Sequence, residues 1–155
     1  MQIFDNSNPE SPVFLSEFSH ARACDPVVAQ GDFAYVTLRS NIRCFGNTNQ
    51  LDVINISNLS SPFLLKTYPM QNPHGLSVDQ DYLFLCEGEY GLKVFDISDK
   101  FGIDQNLLTH LTDIDAYDVI AIDSHLIMVG ADGIYQFDYS DPSNLKLLSV
   151  ISSGS

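Results

Sequence analysis

Two carboxylates and an imidazole recur at matched places in this 155-residue chain. Asp25, His74 and Asp118 each open a block of one pattern: residues 25–36, 74–85 and 118–129 align without a gap. Brought together in space, such side chains can hold a divalent cation or the polar groups of a ligand. The plainer reading, which we prefer, is that each bonds the backbone of its own loop. Equal spacing does not by itself impose ligand geometry.

A second set is the tetrad apolar-Asx-x-Ser. It stands as Phe4-Asp5-Asn6-Ser7, Ile54-Asn55-Ile56-Ser57, Phe95-Asp96-Ile97-Ser98 and Phe137-Asp138-Tyr139-Ser140. An Asx side chain at a strand end can accept backbone N–H bonds across the following turn, and Ser can do the same. Asp5, Asn55, Asp96 and Asp138 are therefore expected to build turns, since one active site does not need its group in every repeat. Asn55-Ile56-Ser57 and Asn58-Leu59-Ser60 also fit the glycosylation acceptor pattern, but both coincide with the repeat. The acidic pairs Glu87/Glu89 and Asp113/Asp115 lack the ligand ladder of a calcium loop and read as solvated turns. No nucleophile elbow, phosphate loop, paired-cysteine zinc pattern or His-Glu-x-x-His occurs.

What must position these groups is a repeat. The tetrad Asx residues lie 50, 41 and 42 positions apart, a period that marks a repeat array. In the copy from 73 to 112, strands are expected at 75–79, 82–86, 92–97 and about 107–111, with a tight turn at Gln80-Asp81. The aligned register lays Ser124-His125 over that turn. No window carries a helical period over ten residues. Four antiparallel strands in about 42 residues, repeated, make the chain all-β, built from blades of a β-propeller. A single partial propeller over residues 1–155 then holds a half blade at about 2–18 and full blades at about 24–68, 73–112 and 117–151. An insertion at 39–50 interrupts the first full blade. Rings need ~4–8 blades, so about three and a half form an incomplete one. Either the chain belongs to a longer propeller or identical chains assemble into one. The half blade favours the first, its inner strands coming from another part of a full-length chain.

The formal charge of −13, from 20 acidic and 7 basic residues, repels phosphate backbones and anionic membranes. A nucleic-acid partner is thus not expected, whereas a cation, a basic protein or an uncharged polymer is compatible. No run approaches the ~20 apolar residues of a transmembrane helix. The first residues show no basic or apolar export leader, but Met1 lies three positions before a tetrad, so this says little about location. Cys86 ends an apolar run and reads as a buried thiol. For Cys24 and Cys44, a disulfide and two free thiols stand as equal alternatives.

Gly91-Leu92-Lys93-Val94-Phe95-Asp96-Ile97-Ser98-Asp99 resembles the core of the LVIVD repeat, with further copies at 50–58 and 133–142. Gly31-Asp32-Phe33-Ala34-Tyr35-Val36 is similar to that family's companion segment. The resemblance implies a β-propeller of the cell envelope, periplasm or exterior, and it transfers no catalytic residue. Asn55 in place of Asp and the insertion at 39–50 depart from the pattern. The expected function is a non-enzymatic scaffold that binds a protein or a glycan and needs no cofactor. The alternative is a metal-binding or hydrolytic propeller with a divalent metal at Asp25, His74 and Asp118.

Overall fold

A computed structural model describes residues 1–19, 26–40 and 47–154. Asp25, Cys24 and Cys44 lie outside the described residues. The strands are β1 Gln2–Asp5, β2 Val13–Glu17, β3 Val27–Gln30, β4 Phe33–Leu38, β5 Gln50–Asn55, β6 Phe63–Pro69 and β7 Leu76–Asp79. They continue as β8 Tyr82–Cys86, β9 Leu92–Asp96, β10 Leu107–Leu111, β11 Ala116–Ile122, β12 His125–Gly130, β13 Gly133–Asp138 and β14 Lys146–Ser152. A 3-10 turn at Ile103–Gln105 precedes β10. The sheets are β1-β2, β3-β4-β5-β6, β7-β8-β9-β10 and β11-β12-β13-β14, with antiparallel neighbours throughout. The fold is all-β, three four-stranded blades preceded by half of one, in an open arc.

Strand alternation makes the blades stack. On β8, Leu83 and Leu85 pack toward the first blade with Tyr35, Leu51, Val53 and Tyr68. Phe84 and Cys86, one residue out of phase, pack toward the third with Leu126, Met128 and Phe137. All four β8 side chains are fully buried. A strand covered on both faces reads as a continuous apolar run. The half blade covers the remaining face of the first blade, Met1 and Phe18 packing on Ala34, Val36, Leu38 and Ile54. The third blade buries one face only, and Ile127, Val129, Ile134 and Ile151 on the other are exposed.

Every tetrad makes the same turn. The Asx Oδ1 accepts the N–H of Ser7, Ser57, Ser98 and Ser140 at 2.8, 3.1, 2.8 and 2.8 Å. A second Asx three residues on repeats the bond. Asn8, Asn58, Asp99 and Asp141 accept from Glu10, Ser60, Phe101 and Ser143. The residue between Asx and Ser ties the turn to the inner hairpin. Ile56, Ile97 and Tyr139 donate their N–H to Asp32, Asp81 and Ser124 carbonyls at 2.8, 2.8 and 2.9 Å.

These bonds fix the register of the third blade, which differs by one residue from the sequence alignment. The turn equivalent to Gly31-Asp32 and Gln80-Asp81 is Asp123-Ser124, and His125 begins β12 opposite Asp138. Asp123 and Ser124 both have positive φ, as a type I′ hairpin requires. The apolar run 126–129 satisfies either register, so only the turn decides. The acidic pair 87/89 also differs from expectation. Glu87 is fully buried and ion-paired with Lys93, and its Oε1 accepts the Gln71 N–H at 2.6 Å.

Hydrogen bonds to Ser7, Ser98 and Ser140 hold the Asp5, Asp96 and Asp138 carboxyls below the ordinary value of 3.8. Their folded values are depressed, so the stability they add is present above the unfolded value and is lost as pH falls through the folded one. Urea unfolding against pH should show this acid loss, and it should shrink when all three are changed to Asn. Asn55→Ala should cost about 1 kcal/mol in the same assay, and Asn55→Asp little near neutral pH.

Candidate functional site

The inner strands β3, β7 and β11 lie side by side, and their N-terminal ends meet at one mouth of the arc. There Pro26, Arg39, Pro73, His74, Gly75, Tyr117 and Asp118 line a cleft of about 270 Å³. His74 and Asp118 thus share a site. Asp118, however, occupies the slot of Gly75, and Tyr117 takes the slot of His74, as the register of β11 requires.

A bulge creates this mouth. Ala116 faces Gly130 and Asp118 faces Val129, leaving Tyr117 as the extra residue. His74 N–H reaches the Cys86 carbonyl at 2.7 Å and Cys86 N–H returns to the Gly75 carbonyl at 2.9 Å. Such bulges re-aim side chains at the rims of sheets. The blades are laced together here. Thr37 Oγ1 donates to the His74 carbonyl at 2.7 Å, and Gly75 N–H to the Tyr117 carbonyl at 2.9 Å. Gly88 and Ala116 exchange both backbone bonds, at 2.8 and 2.9 Å. Gly75 is needed for this approach, because a Cβ there would sit 2.8 Å from Asp118 Cα.

His74 is the centre of the cleft. Its ring lies 5.5 Å from that of Tyr117, tilted by 38°. Arg39 Nη1 stands against the imidazole, 2.6 Å from Nδ1 and 2.5 Å from Nε2. A guanidinium charge so close to the ring favours the neutral imidazole. Burial, and secondly the Arg39 charge, lower the His74 pKa from 6.5. Burial chiefly, and then Asp118, push the Cys86 thiol up, which keeps it protonated.

Glu87, which the sequence places in a solvated turn, is instead a buried positioning residue. It holds Gln71 N–H, Lys93 closes over its other oxygen, and Asn49 Nδ2 donates to the Gln71 carbonyl at 2.8 Å. Segment 71–74 is thereby fixed against the second blade. Gly88, at φ +58, leaves space for Asn72 and His74, whose Nδ2 and Nε2 would lie 2.8 and 3.0 Å from a Cβ. Among the described residues no three His, Cys, Asp or Glu side chains converge as metal ligands.

Two outcomes check this geometry. The His74 ring should titrate below 6.5 by NMR, and Arg39→Ala should move it upward but not past that value, since burial remains. Because the folded value is depressed, His74 adds instability as pH falls below 6.5. Lys93→Met should cost about 3 kcal/mol in urea unfolding, because it strands a buried carboxylate without its partner.

Comparison with known proteins agrees with this architecture. An 11% identical protein of unknown function from Desulfotomaculum acetoxidans superposes with a TM-score of 0.65, covering 96% of this chain and 48% of that one. KlHsv2 with a loop replaced by a Gly-Ser linker gives 0.52 at 13% identity, covering 83% and 40%. Apo AztD from Citrobacter koseri gives 0.50 at 15% identity, covering 83% and 35%. The chain therefore spans less than half the length of each of these structures, and the likeness is one of fold. No curated protein matches significantly. The LVIVD repeat pattern matches residues 21–69 and 73–101, most of the first two complete blades. On that match over half its length, the chain belongs to the LVIVD-repeat family.

Proposed function

We propose that this β-propeller repeat module is a non-enzymatic scaffold that binds a protein or a glycan outside the cytoplasm, at the cell envelope. The observation that carries this reading is the mouth cleft. Groups from three consecutive blades converge on it: a donor at Arg39, paired aromatic faces at His74 and Tyr117, and an acceptor at Asp118. A shaped recess with a few convergent polar groups and an aromatic wall suits a polar ligand. Arg39 crowds both ring nitrogens of His74, the atoms through which it would act as a general base. No helix among the described residues is long and apolar enough to cross a membrane. The envelope location rests on the family.

A divalent cation at Asp25, His74 and Asp118 is the second reading, favoured by the shared cleft of His74 and Asp118 and by the acidic field. It requires Arg39 to leave the imidazole. Screening the purified chain against envelope polysaccharides and surface-protein fractions should yield a partner whose binding is lost in Tyr117→Ala and Arg39→Ala variants of unchanged melting temperature. Stoichiometric metal in the purified chain, lost in a His74→Ala, Asp118→Ala double variant, would instead establish the cation site.

A further inference from the structure

The mouth cleft offers a ligand side chains rather than backbone, because the backbone around it is already paired. His74 N–H goes to the Cys86 carbonyl, the His74 carbonyl accepts Thr37 Oγ1, and Gly75 N–H goes to the Tyr117 carbonyl. Val119 N–H donates to Asp118 Oδ1 at 2.9 Å. A peptide laid along this mouth as an added strand would find none of these groups free to bond. Three side chains remain. Asp118 is fixed through Oδ1, and its second oxygen has no partner among the described residues. Arg39 sets Nη1 on His74 and keeps its other N–H groups for a ligand. Tyr117 is 41% exposed, with the His74 ring beside it.

We propose that the cleft takes one neutral pyranose ring of a glycan, an inference that rests on the scaffold reading above and narrows it to a saccharide. The space sets the size. About 270 Å³ lies just under the ~300 Å³ at which pockets for drug-sized ligands begin, so it suits one six-membered ring with its hydroxyls. The side chains set the chemistry. A sugar hydroxyl both donates and accepts. Hydroxyls along one edge of the ring donate to Asp118 Oδ2 and accept from the Arg39 guanidinium. The C–H groups on the flat side of the ring lie on Tyr117, whose π face is negative. Pro26 and Pro73 add apolar contact.

Charge sets neutrality. One guanidinium and one carboxylate balance within the cleft. An anion would therefore meet the −13 charge of the chain, and a cation would meet Arg39.

The probes are methyl β-D-glucopyranoside and methyl β-D-galactopyranoside, with methyl β-D-glucuronide as the charged comparison. Each is titrated into the 155-residue chain and read by amide NMR. The expected result is saturable binding of at least one neutral pyranoside, with a Kd on the order of 1–10 mM. It should shift Gly75, Tyr117 and Val119 and spare the tetrad turns at the opposite end of the blades. Tyr117→Phe should bind within about twofold of the parent, because the ring face and not the hydroxyl is used, whereas Tyr117→Ala should lose roughly tenfold. Asp118→Asn should lose roughly fivefold. No saturable binding of either pyranoside up to ~50 mM, shifts confined to the bare face of the third blade, or an unchanged Kd in Tyr117→Ala would overturn the proposal. So would tighter binding of the glucuronide, because Arg39 would then select an anion. If both pyranosides fail while the envelope screen yields a protein partner that needs Tyr117 and Arg39, the scaffold reading stands and the saccharide falls. If nothing binds in either experiment, both fall.

Discussion

The structure depends on the burial of each blade between two neighbours. A four-stranded antiparallel sheet with apolar side chains on both faces cannot hide them alone. On β8 the alternation Leu83-Phe84-Leu85-Cys86 sends successive side chains to opposite blades, and all are buried. Stability in such an array is a sum over nearest-neighbour interfaces. The second blade, packed between two complete blades, is the anchor, while the first has a complete blade on one face and the half blade on the other. The third blade keeps one face dry and leaves Ile127, Val129, Ile134 and Ile151 in water. Polar links reinforce the same interfaces. Tyr139 OH donates to Asp79 Oδ2 at 2.6 Å, Tyr68 OH to the Lys100 carbonyl at 2.7 Å, and Ala121 N–H to Ser77 Oγ at 3.0 Å.

Stacking brings the ends of successive inner strands together, which is how distant residues come to share one cleft. The cleft is held from behind by the buried Glu87-Lys93 pair, which fixes the segment leading to His74. Neither Glu87 nor Lys93 lines the cleft. Their place is to give the mouth a rigid shape, so that its polar groups are set before a ligand arrives.

Much of this was legible in the sequence because the repeat writes it several times. The strands of the second blade fall at the expected residues, β8 and β10 to the residue, since Gly, Asp and Asn bound short apolar runs there. The tetrad Asx spacing gives the blade period. The one-residue register of the third blade was hidden, because Leu126-Ile127-Met128-Val129 is apolar at every position and alternation cannot choose a face. The left-handed Asp123-Ser124 turn chooses it. That shift places Tyr117, rather than Asp118, level with His74. Glu87 was hidden for a different reason. It lies beside a glycine turn, where acidic residues are usually solvated, and its partner Lys93 comes from the adjoining strand. The contact of Arg39 with His74 spans two blades and leaves no local pattern at all.

Native-state hydrogen exchange across the three complete blades tests most directly whether face burial governs this fold. The account predicts the slowest exchange in β8 and β9, which are covered on both sides, and clearly faster exchange in β13 and β14, whose blade has one bare face. Equal protection of the second and third blades in a monomeric chain would contradict it.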